Sequence, residues 1–154
     1  MNEQEEDAIL QRFVTECVRP AAEKLALLQD DMRHRPNIAF APLVDHLVAK
    51  ALACFRTIAH VDDISEVNAG FALTAAGRIV AEFNAVLPID YPYIIVLIQA
   101  TAGYGELRCG TINRDAITRL GPLTESRCIP IIRVKKLEEL RSPGLIIEPF
   151  SEET

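Results

Sequence analysis

Along the first part of the chain apolar residues return at a spacing near four, and after Asp62-Asp63 the spacing falls to two. Ile9, Phe13 and Cys17 form one row, with Leu10, Val14 and Val18 beside it. That is the stripe of an amphipathic helix starting near residue 3. Pro20 has no N–H to donate, so it kinks or ends this helix, and Ala21 to Met32 is expected as a second helical piece. Arg33 to Ala41 is expected as a connector carrying Pro36, and Pro42 suits a first helical position. From there Leu43, Leu47, Ala51, Phe55 and Ala59, flanked by Val44, Val48 and Leu52, trace the next stripe. These apolar faces are wide and need a partner to bury them.

The shorter period then predicts strands. Ala69 to Ala75 is expected as a strand and Ala76-Gly77 as a turn. Ile79, Ala81, Phe83 and Ala85 alternate with Arg78, Glu82 and Asn84, the pattern of a half-buried strand. Leu87 to Pro92 carries two prolines and reads as a loop. Tyr93 to Thr101 is apolar on both faces, which predicts a central strand. Ala102 to Gly105 turns into a strand over Glu106 to Ile112. Asn113 is a good N-cap for a helix with Asp115 in its first turn, ending near Leu120 before Gly121-Pro122. A strand over Cys128 to Val134, a short helix over Lys135 to Arg141, a last strand over Gly144 to Phe150 and a frayed tail complete the reading.

The expected fold class is therefore α+β: an N-terminal helical segment, residues 1–66, followed by a four- to six-stranded mixed sheet with one or two short helices in residues 67–150. The two parts are expected to form one compact unit.

Composition changes the picture in four places. With 154 residues and 49% apolar content, one domain can bury a core without disulfides or metals. The net charge of -6 argues against sequence-independent nucleic-acid binding, which needs clustered Lys and Arg. The acidic start Met1 to Asp7 and the absence of a long apolar run point to a cytoplasmic protein that does not enter a membrane. Cys17, Cys54, Cys109 and Cys128 have no CxxC spacing and are expected as free thiols in a reducing compartment.

Gly105, Cys109-Gly110, Ile112-Asn113, Leu120, Arg133, Val134 and Leu137-Glu138-Glu139-Leu140 follow one another in a characteristic order and spacing. In this respect the chain resembles the YunC-like family, small bacterial and archaeal domains of no settled function. The resemblance covers about residues 70–145. It departs at Glu106, where the family tends to carry an aromatic; here Tyr104 precedes Gly105 instead. It implies a small α+β domain and transfers no catalytic residue.

Candidate chemistry centres on Cys109. A Cys at the end of a strand, close before a helix start, would feel the positive end of the helix dipole and become a better nucleophile, with Arg108 and Arg114 acting in the same direction. Gly110 would let a ligand approach the backbone. The structural alternative is a small buried Cys, with Gly110 serving a bulge. Any thiol–imidazole pair would have to bring His34, His46 or His60 over from the N-terminal half. Asn113, Arg114 and Asp115 could bind a phosphate or carboxylate at the helix start, or simply cap it. His60 with Asp62 and Asp63 is a weak metal grouping, because no HxH or HxxxH spacing supports it, and no metal is expected. Glu82 and Glu106 would make a carboxylate pair only if their strands were neighbours.

No cofactor is expected, since no phosphate-cradling glycine loop is present. The leading expectation is a non-catalytic binding or assembly module that forms a homo-oligomer. A small enzyme using Cys109 on an anionic small molecule and a regulatory module sensing a small anion are the alternatives.

Overall fold

A computed structural model describes residues 2–28, 36–62, 66–88, 90–100, 107–113, 124–126, 129–134 and 146–149. The elements are helices α1 (Glu3–Arg12), α2 (Arg19–Leu27), α3 (Pro36–Ala59) and α4 (Ala69–Ala85), and strands β1 (Tyr93–Ala100), β2 (Leu107–Asn113), β3 (Thr124–Ser126), β4 (Ile129–Val134) and β5 (Ile146–Pro149). A π-helical turn, Phe13–Val18, joins α1 to α2.

Helix α1 begins at a cap that closes in both directions. The Asn2 side chain accepts from the Glu5 N–H at 2.8 Å and donates to the Glu5 carboxylate at 3.2 Å. The helix then runs through Pro20 instead of stopping. Pro20 cannot donate to the carbonyl four residues back, and its ring crowds that group. The backbone answers by widening into the π turn, in which the Arg19 N–H reaches the Val14 carbonyl, five residues back. Phe13, Val14, Cys17 and Val18 of the turn are all buried.

Helix α3 starts at Pro36, earlier than the sequence pattern suggests. Pro42, expected at a first helical position, lies inside it. The described core face of α3 holds Val44, Leu47, Val48, Ala51, Leu52, Phe55, Ile58 and Ala59. The helix ends with His60 in the left-handed region (φ 57°) and the Val61 N–H bonded to the Arg56 carbonyl at 3.1 Å. That is a Schellman closure.

Residues 69–85 correct the reading of two strands and a turn: they form one helix, α4. Phe71, Ala72, Ala75, Ala76, Ile79, Val80 and Phe83 are buried, which is the helical period along one face. The alternation seen from Ile79 to Ala85 was a fragment of that longer pattern, and Val80 breaks it. Asn68 caps α4, its carbonyl oxygen accepting from the N–H of Gly70 at 2.8 Å and of Phe71 at 3.4 Å.

The expected fold class is corrected accordingly. The body is helix-rich, and the part of the sheet whose core side chains are placed is the antiparallel pair β1–β2 rather than a four- to six-stranded mixed sheet. The outer strands are described by backbone pairing alone, in the order β3-β4-β1-β2-β5. One apolar cluster runs from Phe13 through α2, α3 and α4 to Ile95, Leu97 and Cys109, so it crosses the expected boundary at residue 66. Phe55 is its hinge point. Its ring meets Phe13 edge-on at 5.1 Å and Phe71 at 5.8 Å, joining the π turn, α3 and α4. On the other face of the sheet, Val96, Ile98 and Ile112 are also fully buried.

Candidate functional site

The site proposed from the sequence falls on β2, an interior strand. It pairs antiparallel with β1 on one edge and with β5 on the other. Cys109 stands opposite Leu97 and Glu148, Gly110 opposite Val96 and Ile147, Arg108 opposite Ile98 and Pro149, and Asn113 opposite Tyr93. The register with β1 is unbroken from Tyr93 to Gln99, so Gly110 serves no bulge.

Cys109 is therefore mid-strand, not at a strand end. It is a free thiol with 2% of its surface exposed, inside the helix-side core. Burial pushes the thiol up to about 12, because desolvation penalises the charged thiolate. The expected activation runs the other way. A desolvated thiol keeps its proton, so at neutral pH the sulfur is a small apolar side chain. His46 and His60 are exposed, on α3 and just beyond it, so neither supplies a base to this buried sulfur. His34 lies outside the described residues.

Successive strand residues alternate faces, so Gly110 is turned away from the Cys109 face. Asn113 ends β2, ~13 Å along the strand from Cys109 by the ordinary rise per residue. Arg114 and Asp115, and the helix they were expected to open, lie outside the described residues, as do Gly103 to Glu106, Cys128 and Leu137 to Leu140. What the structure brings together is thus Arg108, Cys109, Gly110 and Asn113 along one strand. Thr111, which the sequence reading passed over, is the buried polar residue beside them, opposite Ile95 at 5% exposure. Its signal was only its place two residues from Cys109.

The other groupings resolve into structural roles. His60 is the left-handed closing residue of α3. The Asp62 N–H is held by the Glu66 carboxylate at 2.6 Å. Among the described residues no group of three His, Cys, Asp or Glu side chains could hold a metal ion. Glu82 lies on a helix, not a strand, and pairs with Arg78 at 3.3 Å and with Arg19 at 3.8 Å, tying α4 to the start of α2. Glu106 lies outside the described residues.

The expectation of free cysteines fails at two positions. Cys17 and Cys54 form a disulfide between the π turn and α3, with their Cα atoms 5.7 Å apart. Spacing along the chain held no sign of it, because the two residues are 37 apart and meet only when the helices pack.

Among the described residues no helix is long and apolar enough to cross a membrane. No family model, characterised protein or solved structure matches the chain.

Proposed function

We propose that this protein is a non-catalytic binding or assembly module acting in the cytoplasm as a homo-oligomer. The observation that carries the reading is at the end of α2, where Leu27 is 84% exposed and Leu28 beside it 42% exposed. Two adjacent large apolar side chains held in water at a helix end favour burial against another copy of the chain. The enzyme reading loses its support, since the thiol it depends on is protonated and sealed in the core. We carry the resemblance to the YunC-like family forward on Cys109-Gly110 and the residues flanking it, as a reading of sequence order.

Light scattering coupled to size exclusion tests the assembly. The expected result is a dimer or larger species that shifts toward monomer in Leu27→Lys and Leu28→Lys. A wild-type chain that stays strictly monomeric at high concentration would overturn the proposal.

A further inference from the structure

The crosslink of this molecule sits where its helix ladder is irregular. Cys17 lies within the π turn, and Cys54 faces it from α3. The two sulfurs are not equally sheltered. Cys17 is 5% exposed, whereas Cys54 is only partly buried, with Lys50, Ala53 and Thr57 of its own helix exposed around it. Lys50 stands one helical turn before Cys54, within the reach of neighbouring side chains on a helix. A half-open cysteine one helical turn from an exposed ammonium group is the setting in which a thiolate forms and a thiol from outside can attack.

We propose that Cys17 and Cys54 are a reversible thiol–disulfide switch, which clamps the π turn onto α3 when oxidised and releases it when reduced, exchanging with glutathione-type disulfides and thiols through the Cys54 sulfur. In the closing direction the Cys54 thiolate attacks one sulfur of glutathione disulfide and expels one glutathione thiolate. Cys17, as its thiolate, then attacks the Cys54 sulfur of the mixed disulfide and expels the second. Two protein thiols become one disulfide, one glutathione disulfide becomes two thiols, and the two cysteine protons end on glutathione. Opening is the same sequence reversed. In a reducing compartment a disulfide is transient and sensing rather than permanent, which is the setting the cytoplasmic placement supplies. The inference rests on the cytoplasmic part of the proposed function and not on assembly, because its readouts are independent of oligomeric state.

The test equilibrates the full chain in reduced and in oxidised glutathione, quenches with acid, alkylates in denaturant and maps the cysteines by mass spectrometry. Hydrogen exchange is followed over residues 13–19. We expect the linked Cys17–Cys54 peptide in the oxidised buffer. In the reduced buffer that peptide should be lost, with circular dichroism unchanged and faster exchange through the π turn. In Cys17→Ser a glutathione adduct should be trapped on Cys54, and Cys54→Ser should give none on Cys17. Failure of the link to form in the oxidised buffer would overturn the switch. So would a link that reduced glutathione removes only after unfolding, or adduct formation at Cys17 in place of Cys54.

Discussion

The side chain of Asn84 is bonded to both backbone groups of Ile95: its carbonyl oxygen accepts from the Ile95 N–H at 2.9 Å, and its amide donates to the Ile95 carbonyl at 2.7 Å. A residue in a strand turns its N–H and C=O to the same edge, so Asn84 occupies the β4 edge of β1 at Ile95. Strand β4 pairs with β1 only from Leu97 onward. The amide of a helix residue therefore stands in for the missing stretch of neighbouring strand, and it sets α4 at a defined height over the sheet. Without it, two backbone groups of a fully buried residue would lack partners.

Asn84→Leu should consequently cost about 2 kcal/mol or more, since it leaves a donor and an acceptor unsatisfied in a half-buried place. Asn84→Asp should be instructive in its pH dependence. Its carboxylate can still accept from the Ile95 N–H but repels the Ile95 carbonyl, whereas the protonated acid can donate to it. Denaturation should show Asn84→Asp weaker than wild type at neutral pH and partly restored in acid. Hydrogen exchange of the Ile95 amide reports the same loss directly.

Replacing His60 by glycine should stabilise the protein. His60 has φ 57° at the end of α3, a conformation that costs an L-residue and that glycine adopts freely. The expected gain is about 1 kcal/mol, offset in part by the greater freedom of glycine in the unfolded chain. Metal-binding measurements on the same variant should match wild type, because the structure gives His60 a backbone role. A lower melting temperature in His60→Gly would contradict that role.

The buried Cys109 predicts how stability falls in alkali. The unfolded thiol ionises near its ordinary value of 9.0, whereas the folded one holds its proton up to about 12. This contribution is fully present below 9 and is lost as the pH rises toward 12, with a slope of at most about 1.4 kcal/mol per pH unit. Tyr91, raised from 10.0 to about 12 by burial and then by the nearby Tyr93, acts in the same direction from a higher starting point. Denaturation curves for Cys109→Ala should therefore decline less between pH 9 and 10 than those of wild type. Alkylation of Cys109 in the folded chain should be negligible until denaturant is added, and rapid labelling at neutral pH would refute its placement in the core.

Removing the bridge should have a larger effect. The Cys17–Cys54 link closes a loop across 37 residues of separation. Loops of that length restrict the unfolded chain enough to contribute between about 2 and 4 kcal/mol. Cys17→Ala with Cys54→Ala, compared with oxidised wild type by urea denaturation, should show a loss in that range. The same experiment under a strong reductant should bring the two proteins close together, because only the wild type has a bridge to lose.

The local patterns were readable where one face repeats over many residues. The stripes Phe13–Cys17 and Leu47–Ala51–Phe55 are core faces in the folded chain, and β1 is apolar on both sides because both sides are buried. The reading failed at 69–85, where a short alternation hid a longer helical period that begins at the Asn68 cap. At Pro20, where a kink or an end was expected, the helix does not end but continues through a wider turn. For the candidate site, position on β2 was legible, but the environment of Cys109 was not: Arg108 and Arg114 beside it in sequence suggested activation, and burial reversed it.

What the sequence determined by itself is the set of apolar faces and the strand Tyr93–Ala100, since hydrophobic period and chain stiffness are properties of consecutive residues. Only the tertiary structure decided that Cys17 meets Cys54, that Asn84 completes the edge of β1 at Ile95, and that Cys109 is a core side chain. Each of these depends on residues far apart in the chain being brought to within a few ångströms. Contact and desolvation of that kind arise when helices and sheet pack, and no local period records them.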